Sequence, residues 1–295
     1  MKTTAPSTPP MPTDPVVLIP AMRQRVWGVP AVLNFALGGL GAGFYAAAAL
    51  TAGLGSSAAV ALASWLAPVL VGAGFVAVAT EAGRPLRGPR VLARVRSSWM
   101  SRELVLGGAF AALALAEWVA PSAALRALAV AAGLAVAGAQ GAILRRARAV
   151  IAWDVPVMPL VFIASALVSG AGLLLLMEPL LGIRGTYALR GTLTLLPLAF
   201  VGWLMYLAWS PAPAFVRATR ALRGRPGEAF GIVAYLVPWT TIALTLALPQ
   251  LGAAAAAAGV LLIAGQAWSK WLLVLTVADV RPVTLGRLTL QRRVS

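Results

Sequence analysis

The chain has 295 residues, 60% of them hydrophobic and only 11% charged, with a mean hydropathy of +0.88. Soluble domains run at about 45–50% apolar and about 25% charged, so this is the composition of an integral membrane protein. A net charge of +16 would suit a nucleic-acid binder, but the 24 cations lie between apolar runs of spanning length instead of on a solvated domain, which argues for membrane topology and against nucleic acid.

Cysteine and histidine are both missing from the sequence. This excludes disulfides, thiolate-held iron–sulfur clusters, bis-histidine haem, His-based triads and the usual zinc sites. Redox work by this chain would need a cofactor held by a partner, or a diffusible carrier.

In chain order, residues 1–25 read as a disordered cytoplasmic tail. The stretch from Met1 to Pro20 is rich in Pro, Ser and Thr and lacks the basic start and apolar core of a signal peptide. Residues 26–280 hold eight runs long enough to cross hydrocarbon: 29–52, 57–80, 104–119, 122–144, 155–177, 189–209, 229–248 and 252–277. The third is short, and only Pro121 divides it from the fourth. Residues 281–295 read as a basic cytoplasmic tail. The predicted fold is all-α, an eight-helix polytopic bundle with both termini in the cytoplasm. The charges support this, because with eight spans 20 Lys and Arg fall on one side and two, Arg184 and Arg190, on the other, with Arg126 and Lys270 inside spans.

In the first span, Gly39 and Gly43 form a small-xxx-small face, widened by Gly38 and Gly41, on which another helix can pack closely. Asn34 stands out on the same helix, since an amide in hydrocarbon must find a partner in the bundle, a water or a ligand. After the second span comes EAGRPLRGPRVLARVRSSWMSRE, residues 81–103, with six arginines, two acids, Pro85 and Pro89. Its prolines and glycines predict a structured loop. By helix direction Asn34, Glu81, Arg84 and Gln140 reach a similar depth near the cytoplasmic face. Each alone has a bland reading: Gln140 precedes a basic loop, and Glu81 can pair with a neighbouring arginine.

Farther along, Trp153 reads as an interfacial belt residue and Asp154 as the N-cap of the fifth span. Pro197, Pro238 and Pro249 predict kinks or helix ends. Glu117 and Glu178, near outer ends of spans, are expected to reach the interface, with a proton path as the other reading. Lys270, between Trp268 and Trp271, is expected to snorkel to the cytoplasmic interface.

LNFALGGLGAG in the first span, followed by EAGRPLRGPRVLARVRSSWMSRE, resembles the NrfD/DmsC/PsrC group of integral membrane subunits of molybdopterin oxidoreductase complexes. The resemblance covers about forty residues, and the second motif is the more specific. It implies a metal-free anchor exchanging electrons between a quinone, ubiquinone or menaquinone, and an iron–sulfur subunit, which in turn serves a molybdopterin catalytic subunit. It also implies a quinone pocket near the start of the first helix and the Gly-Arg-Pro loop, with Asn34, Gly38, Gly39, Glu81, Arg84 and Gln140 as its candidate residues. Relatives carry a histidine at the positions aligned with Asn34 or Glu81, so here Glu81 or water would supply protons. The charge count puts the motif loop inside, which predicts an iron–sulfur partner docked on the cytoplasmic face of a bacterial inner membrane. A similar loop occurs in membrane subunits of phenylacetyl-CoA:acceptor oxidoreductases. The alternatives are a secondary transporter or channel, against which stands the lack of an intramembrane acid pair or a visible repeat, and a stand-alone intramembrane enzyme.

Overall fold

The computed structural model describes residues 16–52, 57–81, 94–181 and 186–285. Eight helices among them are long and apolar enough to span a bilayer. The first six are Val29–Ala52, Ser57–Ala79, Trp99–Val119, Ala123–Arg146, Met158–Leu181 and Thr186–Leu207. Two short helices, Pro213–Ala218 and Arg220–Arg223, lead into the seventh span, which runs from Arg225 to Ala247 through a π-helical turn at Ile232–Leu236. That wide turn directly precedes Pro238, whose missing N–H the helix therefore absorbs without ending. Pro249 opens a 3₁₀ turn, and the eighth span follows as Gly252–Trp271 with a second π-helical turn at Leu272–Thr276. Pro197 lies within a continuous sixth helix.

The first and fifth spans are the enclosed hubs, whereas the third and sixth face outward over most of their surface. Glycine sets the closest crossings. A Cβ on Gly43 would fall 1.7 Å from the Ala166 carbonyl oxygen, and one on Gly170 would fall 1.9 Å from the Gly43 carbonyl carbon, so the two backbones touch there. The fifth and eighth spans cross likewise at Gly172 and Gly259. Lipid offers no hydrophobic drive for helices to associate, so this close van der Waals contact is what holds the spans together. Aromatic edges fill the remaining core, with Phe35 against Phe162 and Tyr45 against Phe110, each at a centroid distance of 5.5 Å.

The third span begins five residues earlier than its apolar run. Ser98 caps it by accepting from the Ser101 N–H, and Arg102 fastens the incoming loop by donating to the Val95 and Arg96 carbonyls. Glu103, expected at the end of the loop, is therefore inside the helix.

Residues 16–19 and 22–23, expected within a disordered tail, are instead paired strand, and residues 1–15 lie outside the described residues. Strand β1, Val16–Ile19, pairs antiparallel with β4, Val283–Leu285, while β2, Met22–Arg23, pairs with β3, Asp279–Val280. Extended backbone next to a membrane keeps its donors and acceptors satisfied by pairing, and here each end of the chain supplies the other's partner. The two pairs of strands therefore lie at one face of the bundle, the face that also carries the connection between the fourth and fifth spans, since the Arg281 N–H donates to the Ala149 carbonyl. Asp154 does not act as the expected N-cap. The fifth helix starts later, at Met158, and the Asp154 carboxylate pairs with Arg281 at 2.7 Å. Trp153 is not a belt residue either: it is buried, stacks on Trp27 at 5.1 Å, and donates its indole N–H to the Leu273 carbonyl in the last π-helical turn.

Candidate functional site

The first, third and fourth spans each bring one buried polar side chain to a single point. Asn34 lies in the second turn of the first span, Glu103 in the second turn of the third, and Gln140 six residues before the end of the fourth. The Asn34 Nδ2 donates to Glu103 Oε1 at 3.0 Å, and Gln140 Nε2 donates to the same oxygen at 3.0 Å and to the Asn34 carbonyl at 3.3 Å. All three are at most 4% exposed. Two glycines make the room. A Cβ on Gly38 would lie 2.3 Å from Gln140 Nε2, and one on Gly74, from the second span, would lie 3.0 Å from the Asn34 carbonyl oxygen.

One carboxylate oxygen thus collects two amide N–H groups away from water, while Asn34 Oδ1 and Gln140 Oε1 are left without donors. A buried carbonyl oxygen without a donor costs free energy, so this centre is organised to receive an O–H or N–H from something else. Glu103 is also the proton-carrying group that an Asn and a Gln alone could not supply.

The structure brings Asn34 and Gln140 together as the sequence suggested, but through Glu103. Glu81 is elsewhere: its Oε1 accepts the Gly28 N–H at 2.7 Å and caps the start of the first span. Gly28 precedes Asn34 by six residues, so Glu81 lies about 9 Å closer to the loop. Gly38 serves Gln140, and Gly39 packs on Ala166, with a would-be Cβ 3.6 Å from its Cβ. Arg84 lies outside the described residues, as do Arg87 and Arg90 of the same loop. Glu103 did leave a signal: it shares helical spacing with the buried positions Gly107, Phe110, Ala114 and Glu117. The inward face of the third span thus runs from one acid to another.

Glu117 does not reach the interface. It is buried, accepting from the Ser64 hydroxyl at 3.0 Å and from Arg126 at 2.8 and 3.1 Å. Glu178 is buried as well, with Oε1 unpaired. Lys270 does not snorkel. Its Nζ donates to Ser165 Oγ at 2.5 Å and lies 4.3 Å over the Phe162 ring, 3% exposed. For Glu117 and Lys270 a partner on a neighbouring helix holds the polar group inside the bundle. Among the described residues there is no grouping of three or more His, Cys, Asp or Glu able to hold a metal ion.

The family model described as DMSO reductase anchor subunit (DmsC) matches residues 27–201, more than half of the chain. The match spans Asn34, Glu103 and Gln140. No curated protein matches the chain.

Proposed function

From the premise that the chain belongs to the DMSO reductase anchor subunit family, we propose that it exchanges electrons between a membrane quinone and an iron–sulfur partner, with the Asn34–Glu103–Gln140 centre as its proton-handling site. The chain is a multi-pass membrane protein and the membrane anchor subunit of a molybdoenzyme complex. The observation that carries the quinone reading is the buried Glu103 carboxylate, held by two amides in the second turn of the third span.

A quinone supplies two-electron, two-proton chemistry when bound. The residues fit its reduced form: Asn34 Oδ1 and Gln140 Oε1 are buried acceptors in need of a donor, which a ring hydroxyl provides. Asn34 and Gln140 orient Glu103 Oε1, and Glu103 takes or returns a proton at that carboxylate. The surrounding spans exclude water, which strengthens each of these hydrogen bonds. By their charge, the six arginines of residues 84–102 suit docking to an iron–sulfur subunit and, through it, to a molybdopterin subunit. The twenty-to-two distribution of cations supports a bacterial inner membrane with this face in the cytoplasm.

The experiment compares Glu103→Gln and Asn34→Leu in the intact complex, assayed with a quinol and with a soluble dye that bypasses the membrane subunit. Quinol-linked turnover is expected to fall about 10²-fold, the usual worth of a positioned acid or base, with dye-linked turnover unchanged. Wild-type quinol kinetics in both variants would remove this centre from the reaction.

A further inference from the structure

Seven residues inward from the start of the fifth span, and at matching depth on the eighth, a second polar group faces a cavity of about 170 Å³ between the first, fifth and eighth spans. Its walls are apolar, including Leu33, Leu37, Ile263 and Gly39, and its polar side chains are Ser165, Ser169, Gln266 and Lys270. Leu33 is 44% exposed, so the cavity abuts the lipid-facing surface between the first and eighth spans.

The polar atoms are under-used. Gln266 is 3% exposed, and neither its Nε2 nor its Oε1 makes a well-formed hydrogen bond; Tyr235 of the seventh span makes only a loose polar contact with it. Lys270 has three N–H donors, of which one serves Ser165 and the ring face of Phe162 takes the ammonium from one side. Among the described residues no carboxylate pairs with it. This site therefore presents the donors of Lys270 and Gln266 together with the Gln266 Oε1 acceptor, whereas the unpaired atoms of the Asn34–Glu103–Gln140 centre are two acceptors, Asn34 Oδ1 and Gln140 Oε1. A dry cavity of about 150 Å³ accommodates a benzene ring, so the space here suits one ring.

We propose that this cavity is a second binding site, entered sideways from the bilayer, for the ring of a lipid-soluble carbonyl compound whose oxygen accepts from Lys270 and Gln266. Naming that compound a quinone rests on the function proposed above; the site itself rests on the cavity and its unpaired donors. The two sites differ in kind: the unpaired buried atoms of the first are acceptors suited to a hydroxyl, while the second adds the Lys270 and Gln266 donors suited to a carbonyl. The lipid-facing mouth lets a long apolar tail remain in the bilayer.

The test is photolabelling of the purified, intact complex with an azido-quinone of short tail, followed by peptide mapping. Labelling of the eighth-span segment Gly252–Trp271 is expected, displaced by excess unlabelled quinone. It should fall about tenfold in Lys270→Met, the worth of one hydrogen bond to a charged donor. Ala267→Phe, which fills the cavity and leaves Lys270 in place, should abolish it, and co-purification of the partner subunits reports that each variant assembles. Labelling confined to peptides around Asn34 and Glu103, or eighth-span labelling indifferent to Ala267→Phe, overturns the second site and leaves the quinone reading standing. No displaceable label anywhere on the chain overturns both.

Discussion

Glu103→Leu removes the one acceptor shared by two buried amides, and its cost can be worked from their remaining partners. Gln140 Nε2 keeps the Asn34 carbonyl at 3.3 Å, whereas Asn34 Nδ2 keeps nothing. Hydrogen bonds between side chains in membrane proteins are worth about 0.6 kcal/mol on average and about 1.7 at most, because the dissociated helices also find partners. Two lost bonds, one of them partly replaced, give a destabilisation of about 1–3 kcal/mol. Asn34→Leu removes only its own bond and should cost about 1 kcal/mol. With both replaced there is no orphaned Asn34 amide left, so the double variant should be less destabilised than the sum of the singles by about 1 kcal/mol. The assay is reversible unfolding of the purified subunit in mixed micelles, followed by tryptophan fluorescence. Strict additivity of the two substitutions would show that Asn34 and Glu103 do not share a bond, and the proton-handling centre would lose its geometry.

Three other outcomes follow from the packing. Gly43→Val should abolish assembly, since even its Cβ would enter the Ala166 carbonyl, while Gly108→Ala, with nothing within 4 Å, should be neutral or raise stability by up to about 1 kcal/mol; expression level and thermal stability in detergent separate the two. Trp153→Phe keeps the stack on Trp27 but leaves the Leu273 carbonyl without its indole donor, costing about 1 kcal/mol, read as a lower melting temperature. Arg126→Leu should destabilise by more than Glu117→Gln, because it leaves a buried carboxylate with only the Ser64 hydroxyl, and the two stabilities measured side by side decide it.

Apolar run length alone fixed the number of spans, because a bilayer accepts only segments that satisfy their own backbone, and a helix of about 20 residues is the cheapest way to do so. The same physics made Asn34 and Gln140 conspicuous, as amides in hydrocarbon. Glu103 was legible only through its spacing with Gly107, Phe110 and Ala114, because its place depends on where a helix begins, and Ser98 and Arg102 extend the third span into a stretch whose arginines read as loop. Tertiary structure also decided which way the polar ends of long side chains turn. Lys270 and Glu117 stood close enough to span ends to reach water, yet Ser165 and Phe162 hold one, and Arg126 and Ser64 the other, inside the bundle. The pairing of the first strands with the last was equally invisible in the sequence. Such short segments carry no pattern of their own, and they become strands only because an even number of spans returns the chain to the face where it began.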